Sequence, residues 1–226
     1  SQRPRYIDLE KCNACGDCLE VCPVEIPGDF DQGLAVRRAI GKRYPQAIPN
    51  AYAIEKRGVA PCKAACPSNI HVQGYIQLIA KGKYREALAL IRKDCPFPAV
   101  CGRVCTRPCE DQCTRSKVDE PVAIDYLKRF VADLELMETE PLLPEAAQRR
   151  EEKIAVIGAG PTGLSCAYYL AIEGYAVTVF EALPVAGGML RVGIPSYRLP
   201  HEVLEKEIEL IQRLGVEIRT GVRIGK

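Results

Sequence analysis

With 226 residues, 31 basic and 29 acidic side chains and a formal net charge of +2, the chain carries no field that would hold nucleic acid. Twelve cysteines in this length lie well below the roughly 8–10% of small disulfide scaffolds, so the thiols are not needed as staples. Ser1 to Lys11 is polar, and no uncharged stretch approaches the roughly 18 residues of a membrane span, so the expectation is a soluble, cytoplasmic protein of one or two domains in a reducing setting, with no membrane span and no nucleic-acid partner.

The first informative stretch is Cys12-Asn-Ala-Cys15-Gly-Asp-Cys18-Leu-Glu-Val-Cys22-Pro23. Its C-x2-C-x2-C-x3-C-P spacing is the bacterial ferredoxin run, in which three thiolates wrap one face of a 4Fe-4S cubane and the fourth serves a neighbouring cluster. Zinc sites use paired C-x2-C units or histidine partners, and His71 and His201 stand near no such pair. From Val24 to Gly58, prolines and glycines predict turns with one short helix around Leu34 to Ile40, a wrapping segment that closes a first region over residues 1–61.

Residues 62–138 read as a helical iron-sulfur domain. Cys62-Lys-Ala-Ala-Cys66-Pro67 supplies two candidate ligands, followed by a helix capped by Ser68 or Asn69 with Val72, Tyr75, Ile76 and Ile79 on one face and stopped by Gly82. A second helix over Tyr84 to Arg92 buries Ala87, Leu88 and Ile91. Then Cys101, Cys105, Cys109 and Cys113 recur at a spacing of four. On one straight helix those sulfurs would spread over roughly 18 Å, so Gly102 and Pro108 are expected to break the segment and let the thiolates converge or be shared between two centres. A third helix is expected from Pro121, capped by Asp119 or Glu120, through Ile124, Leu127, Val131 and Leu134 to Met137.

Residues 139–152 turn to proline and charge, as linkers do. Beyond them Ile154 to Ile157 reads as a short buried strand, Gly158-Ala-Gly160-Pro161-Thr162-Gly163 follows at once, Leu164 to Ile172 continues as a helix, and a strand over Ala176 to Phe180 ends in Glu181. This is the dinucleotide fingerprint in its required context: the glycines let a helix N-terminus approach a pyrophosphate, and the acid takes ribose hydroxyls. Cys166, inside that helix, reads as a small buried hydrophobe.

Residues 185–200, Val-Ala-Gly-Gly-Met-Leu-Arg-Val-Gly-Ile-Pro-Ser-Tyr-Arg-Leu-Pro, together with Cys101-Gly-Arg-Val-Cys105, resemble the small subunit of NADPH-dependent glutamate synthase and the N-terminal region of dihydropyrimidine dehydrogenase. The front of the chain, with Arg37-Arg-Ala-Ile40 and Tyr44-Pro-Gln-Ala-Ile-Pro49, looks more like the A subunit of heterodisulfide reductase, an iron-sulfur flavoprotein of anaerobes. The resemblance implies FAD at Gly158, Gly160, Gly163 and Glu181, with Gly188, Met189, Leu190 and Arg198 along it. It also implies Cys62 and Cys113 on one cluster and Cys66, Cys105 and Cys109 on another. The fourth ligand of the second falls on Lys128, with Cys95 or Cys101 able to fill the vacancy. Such relatives continue past Lys226 into the rest of a flavin domain and a nicotinamide domain, so the expectation is a fragment, or a chain completed by a partner.

The expected architecture is α+β followed by α/β: a ferredoxin-like and helical iron-sulfur region, then, over 153–226, the first half of a doubly wound FAD-binding domain. The expected function is electron transfer between two or more 4Fe-4S clusters and FAD within a larger anaerobic redox complex of the heterodisulfide reductase kind, or of a glutamate synthase small-subunit type fed by NAD(P)H, with other redox subunits as partners and NAD(P)H or ferredoxin reached indirectly. An assembly module with structural clusters is the reading from another class. No side chain reads as a nucleophile or general base, and the chain alone is expected to be an inactive oxidoreductase.

Overall fold

The computed structural model describes residues 7–27, 34–42, 46, 50–54 and 59–225. The chain divides into two compact units, one of residues 1–61 and 112–122, the other of 62–111 and 123–226.

In the first unit, α1 (Asp17–Glu20) is followed by two antiparallel pairs, β1 (Glu25–Pro27) with β2 (Val36–Arg38) and β3 (Ile40–Gly41) with β4 (Ala53–Ile54). The helix expected around Leu34 to Ile40 is therefore extended. Arg38 lies opposite Glu25 in register and pairs with its carboxylate at 2.8 Å, and β-branched Val36 and Ile40 suit a pleated surface. A small core gathers Cys22, Ala39 and Ile40 with Cys18, Ile26, Tyr52 and Ile54 packed against them. Tyr44 and Pro45 and residues 47–49 of the resemblance motif lie outside the described residues. A 3-10 turn over Thr114–Lys117 completes this unit.

The second unit begins at Cys62, within α2 (Pro61–Ala64), and continues through α3 (Val72–Ala80) and α4 (Tyr84–Arg92). Helix α3 starts later than its expected cap: Asn69 turns left-handed at φ 52°, and His71 Nδ1 accepts the Gly74 amide at 3.0 Å. Helix α5 (Pro98–Val104) runs unbroken through Gly102, whose missing side chain lets the helix that carries Arg129 approach, since a Cβ there would lie 2.6 Å from Arg129 Cβ. The break falls instead at Cys105, which is extended, and Arg107 at φ 62°, after which Pro108 opens α6 (Pro108–Asp111).

Helix α7 (Ile124–Leu136) begins three residues after the expected Pro121, with Ala123 in the cap position. Asp119, an expected cap, is held by Arg115 at 2.7 Å, while Glu110, 15 residues before the amide it accepts, takes the Asp125 N–H at 2.8 Å. The buried stripe of α7 is mixed: Ile124, Val131 and Ala132 alternate with Asp125, Lys128 and Glu135. Glu135 answers Arg92 of α4 in a buried bidentate pair, one arm at 2.6 Å, and so ties the two helices.

Residues 139–152 contain no helix or strand but are bonded down: Leu142 N donates to Glu135, Ala147 N to Ile172 O and Arg150 N to Gly174 O. Beyond them lies a parallel sheet in the order β5 (Lys153–Ile157), β6 (Ala176–Phe180), β7 (Glu217–Arg219), with α8 (Pro161–Ile172) and α10 (His201–Arg213) as its helices and the short α9 (Met189–Val192) between. The first strand is not buried as expected. It lies at an edge of the three-stranded sheet, and Ile157 is 69% exposed. The core joins Leu164, Tyr168, Val179, Leu204 and Ile211 to Phe97 and Val100 from α5 and its cap, so the cysteine-bearing helix packs into the nucleotide-type sheet region.

Candidate functional site

None of the twelve cysteines is joined in a disulfide. In the first unit, Cys12 N closes a turn on Asp8 O, Asn13 Oδ1 accepts the Cys15 amide, and Ala14 and Gly16 take positive φ of 60° and 96°. Alternating backbone handedness of this kind turns amides into a concave nest for an anion. An alanine held left-handed stores roughly 1–2 kcal/mol. Cys18 is raised above the ordinary thiol value, first by burial, with Cys15 and Cys12 close enough to add repulsion. Cys22 is buried and Cys15 exposed. Cys113 begins the 3-10 turn, its carbonyl accepting Ser116 Oγ at 2.6 Å.

In the second unit Tyr75, 1% exposed, donates its hydroxyl to Ile124 O. Burial raises its pKa, and Cys109, Asp125, Cys66 and Cys62 each add to the rise, which gathers three candidate ligands about one phenol. Cys109 is pushed up to about 11, mainly by burial, then by Cys105 and Glu110. The left-handed Arg107 directs its amide to Cys105 Sγ at 3.3 Å, the kind of N–H···S bond that tunes cluster potential. Among the described residues no three His, Cys, Asp or Glu side chains close on a point as a single-ion site would. A cubane holds its thiolates on separate irons and wider apart, so the donor set, all soft thiols with the Arg107 amide turned toward one of them, fits that group.

Lys128, which the resemblance places as a ligand, is an ion-pair member. Only 6% exposed, it meets Asp125 Oδ1 at 2.9 Å, and although burial works against its charge, the hydrogen bond to Asp125 raises its pKa. Cys95 and Cys101 lie beside it, sulfur to sulfur at 3.5 Å. Cys166 is exposed, not buried, because its position on α8 faces away from the core formed by Leu164, Ala167, Tyr168 and Ala171.

The glycine turn is assembled as a unit. Gly158 N donates to Phe180 O and Gly187 N to Ala159 O, which draws the loop after β6 over the turn. A Cβ on Gly163 would lie 2.0 Å from Gly158 O, and one on Gly188 2.8 Å from Gly160 Cα. Pro161 and Thr162 are exposed in the first turn of α8, the positive end of its dipole. Glu181 accepts from Ala159 N at 2.7 Å and Leu183 N at 2.8 Å, so it braces the turn as well as lying at the strand end. Met189 is exposed, Leu190 packs against the core, and Arg198 is exposed further along. The structure thus brings Gly158, Gly160, Gly163, Glu181 and Gly188 together.

Comparison with known proteins gives the class. Residues 3–24 match a 4Fe-4S binding domain, residues 41–140 the family described as dihydropyrimidine dehydrogenase domain II, 4Fe-4S cluster, and residues 156–213 an NAD(P)-binding Rossmann-like domain. The chain therefore joins 4Fe-4S domains to a Rossmann-like segment with a parallel three-stranded sheet. Particular relatives are the NADP(+)-dependent formate dehydrogenase subunit beta of Moorella thermoacetica, 47% identical over 88% of this chain and 32% of that protein, and the NADPH-Fe(3+) oxidoreductase subunit beta of Geobacter sulfurreducens, 44% identical over 78% and 27%. The NAD-dependent dihydropyrimidine dehydrogenase subunit PreT of Salmonella typhimurium is 39% identical over 74% and 40%. The chain thus spans about a third of the length of these relatives, all of them oxidoreductase subunits by name. Among the described residues no helix is long and apolar enough to cross a membrane.

Proposed function

We propose that the chain is the electron-relay part of an oxidoreductase subunit, holding at least two 4Fe-4S clusters on Cys12, Cys15, Cys18, Cys22, Cys62, Cys66, Cys105, Cys109 and Cys113 and FAD at the Gly158–Gly163 turn. Bound there, the clusters would carry single electrons and the flavin two. The observation that carries this reading is the shared core: α5, which leads directly into Cys105, packs Val100 on the helices and strands that frame the glycine turn. Burial of Cys109 and the Arg107 amide on Cys105 set the surroundings of one centre, while the first turn of α8 offers amides and dipole to a pyrophosphate.

The names of the relatives favour a pyridine-nucleotide-linked complex of the glutamate synthase small-subunit type over a heterodisulfide reductase, with other redox subunits as partners. A second reading, favoured by the description of the matched Rossmann-like domain, puts NAD(P)H at the same turn.

Anaerobic titration of the iron-loaded chain with FAD, followed by quenching of flavin fluorescence, separates these. Saturable quenching that Gly163→Ala abolishes is the expected result. Saturable NADPH binding without any for FAD assigns the turn to the nicotinamide cofactor. Binding of neither, with iron in place, supports an assembly module.

A further inference from the structure

The cysteines outside the proposed cluster ligands are Cys95, Cys101 and Cys166, and two of them meet. Cys95 follows α4, its amide bonded to Ile91 O at 2.9 Å, and Cys101 sits within α5, its amide on Phe97 O at 2.9 Å, so both backbones are anchored. Across the Pro96-Phe97-Pro98 turn the Cys95 thiol donates to Cys101 Sγ at 3.5 Å. Cys95 is 4% exposed and Cys101 half-buried, and the Lys128 ammonium faces both sulfurs.

We propose that Cys95 and Cys101 form a redox-active dithiol that a small disulfide converts to an intramolecular disulfide. The more accessible Cys101 thiolate attacks one sulfur of R–S–S–R, forms Cys101–S–S–R and releases R–S⁻, which takes up the proton that Cys101 gave up. Cys95 then loses its proton and attacks Cys101 Sγ. The Cys95–Cys101 bond forms, the mixed disulfide breaks, and the second R–S⁻ leaves with that proton. Two protein thiols are oxidised and one disulfide is reduced to two thiols, two electrons and two protons having moved.

The surroundings divide the roles in the same way. Cys95 is enclosed and donates to Cys101 Sγ, while Cys101 is the less buried of the two. The accessible thiol is thus the ready nucleophile and the enclosed one the resolving partner. This device is independent of what occupies the glycine turn.

The test is chemical and uses the iron-loaded chain. Cys95 and Cys101 fall within one tryptic peptide, Asp94 to Arg103. The anaerobically purified protein is equilibrated with glutathione buffers of rising disulfide fraction, quenched in acid, alkylated and digested, with iron assayed in parallel. The expected result is a peptide that passes from two alkyl groups to none as the disulfide fraction rises, reverts with dithiothreitol, and does so at constant iron. In Cys95→Ser, Cys101 should accumulate a glutathione adduct. Full alkylation at every ratio overturns the proposal, as does an unmodified Cys101 in Cys95→Ser. Loss of alkylation only in step with loss of iron also overturns it, since the pair would then be cluster ligands.

Discussion

Glu207 shows how a single side chain couples charge to fold in this molecule. It is 2% exposed on α10, yet both carboxylate oxygens accept backbone amides from the start of α5, Ala99 at 2.8 Å and Val100 at 3.0 Å. Burial pushes its pKa up from 4.5 to about 8 despite those bonds. The unfolded chain releases this proton near the ordinary value while the folded chain keeps it, so stability falls as pH rises from about 4.5 to about 8 and levels off beyond. Glu207→Gln should flatten that slope, while losing one acceptor should cost about 1–3 kcal/mol. Urea unfolding midpoints measured across this range check both effects, and a slope as steep in the variant as in the parent would place the ionisation elsewhere. A neighbouring case has the opposite charge. Asp125→Asn leaves Lys128 buried without its anion, and unfolding experiments should show a loss of about 3–5 kcal/mol. Neither role was legible in the sequence: Glu207 stands 107 and 108 residues from the amides it accepts, and at Lys128, where a family ligand position falls on a poor iron ligand, nothing local marks Asp125, three residues away, as its buried partner.

The elements show where local pattern sufficed and where it did not. Helix α4 and strand β6 fall at the expected bounds, because Gly82 and Gly174 punctuate them and Ala87, Leu88 and Ile91 on one and Val177 and Val179 on the other keep a clear apolar period. The start of α7 differs from its expected place because its cap, Glu110, comes from 15 residues away, and α5, which no local period announces, is likewise capped from afar by Glu207. Glu110→Ala should therefore weaken the start of α7 by about 0.5–2 kcal/mol, a loss that amide hydrogen exchange localised to Asp125 and its neighbours would register. The helix expected at Leu34 to Ile40 failed because its partner strands supply long-range pairing that no local period records. The cysteine motifs were legible as thiol sets, but the left-handed Ala14, Asn69 and Arg107 that shape the loops around them were not, since nothing in an alanine or arginine announces positive φ. If those loops are built for clusters, Cys105→Ser and Cys109→Ser should each lose iron and loosen the helical segment, whereas exposed Cys166→Ala should keep all its iron. Full iron in both serine variants would remove these two thiols from the ligand set.

At the scale of the whole molecule, 4Fe-4S and Rossmann-like segments occur on one chain, and its relatives are subunits of pyridine-nucleotide oxidoreductases by name. The glycine turn was readable because strand, glycines, helix, second strand and acid occur in one run. The joining of α5 to that region was not, because it rests on Phe97 and Val100, two apolar residues among many, packing on residues far along the chain. Electron relay through clusters is the claim on which the rest depends. Iron and acid-labile sulfide should be measured on anaerobically purified protein, with electron paramagnetic resonance after reduction. About eight irons per chain, matched by sulfide and by the signals of reduced 4Fe-4S centres, is the predicted result; zinc in place of iron, with no signal on reduction, would contradict it.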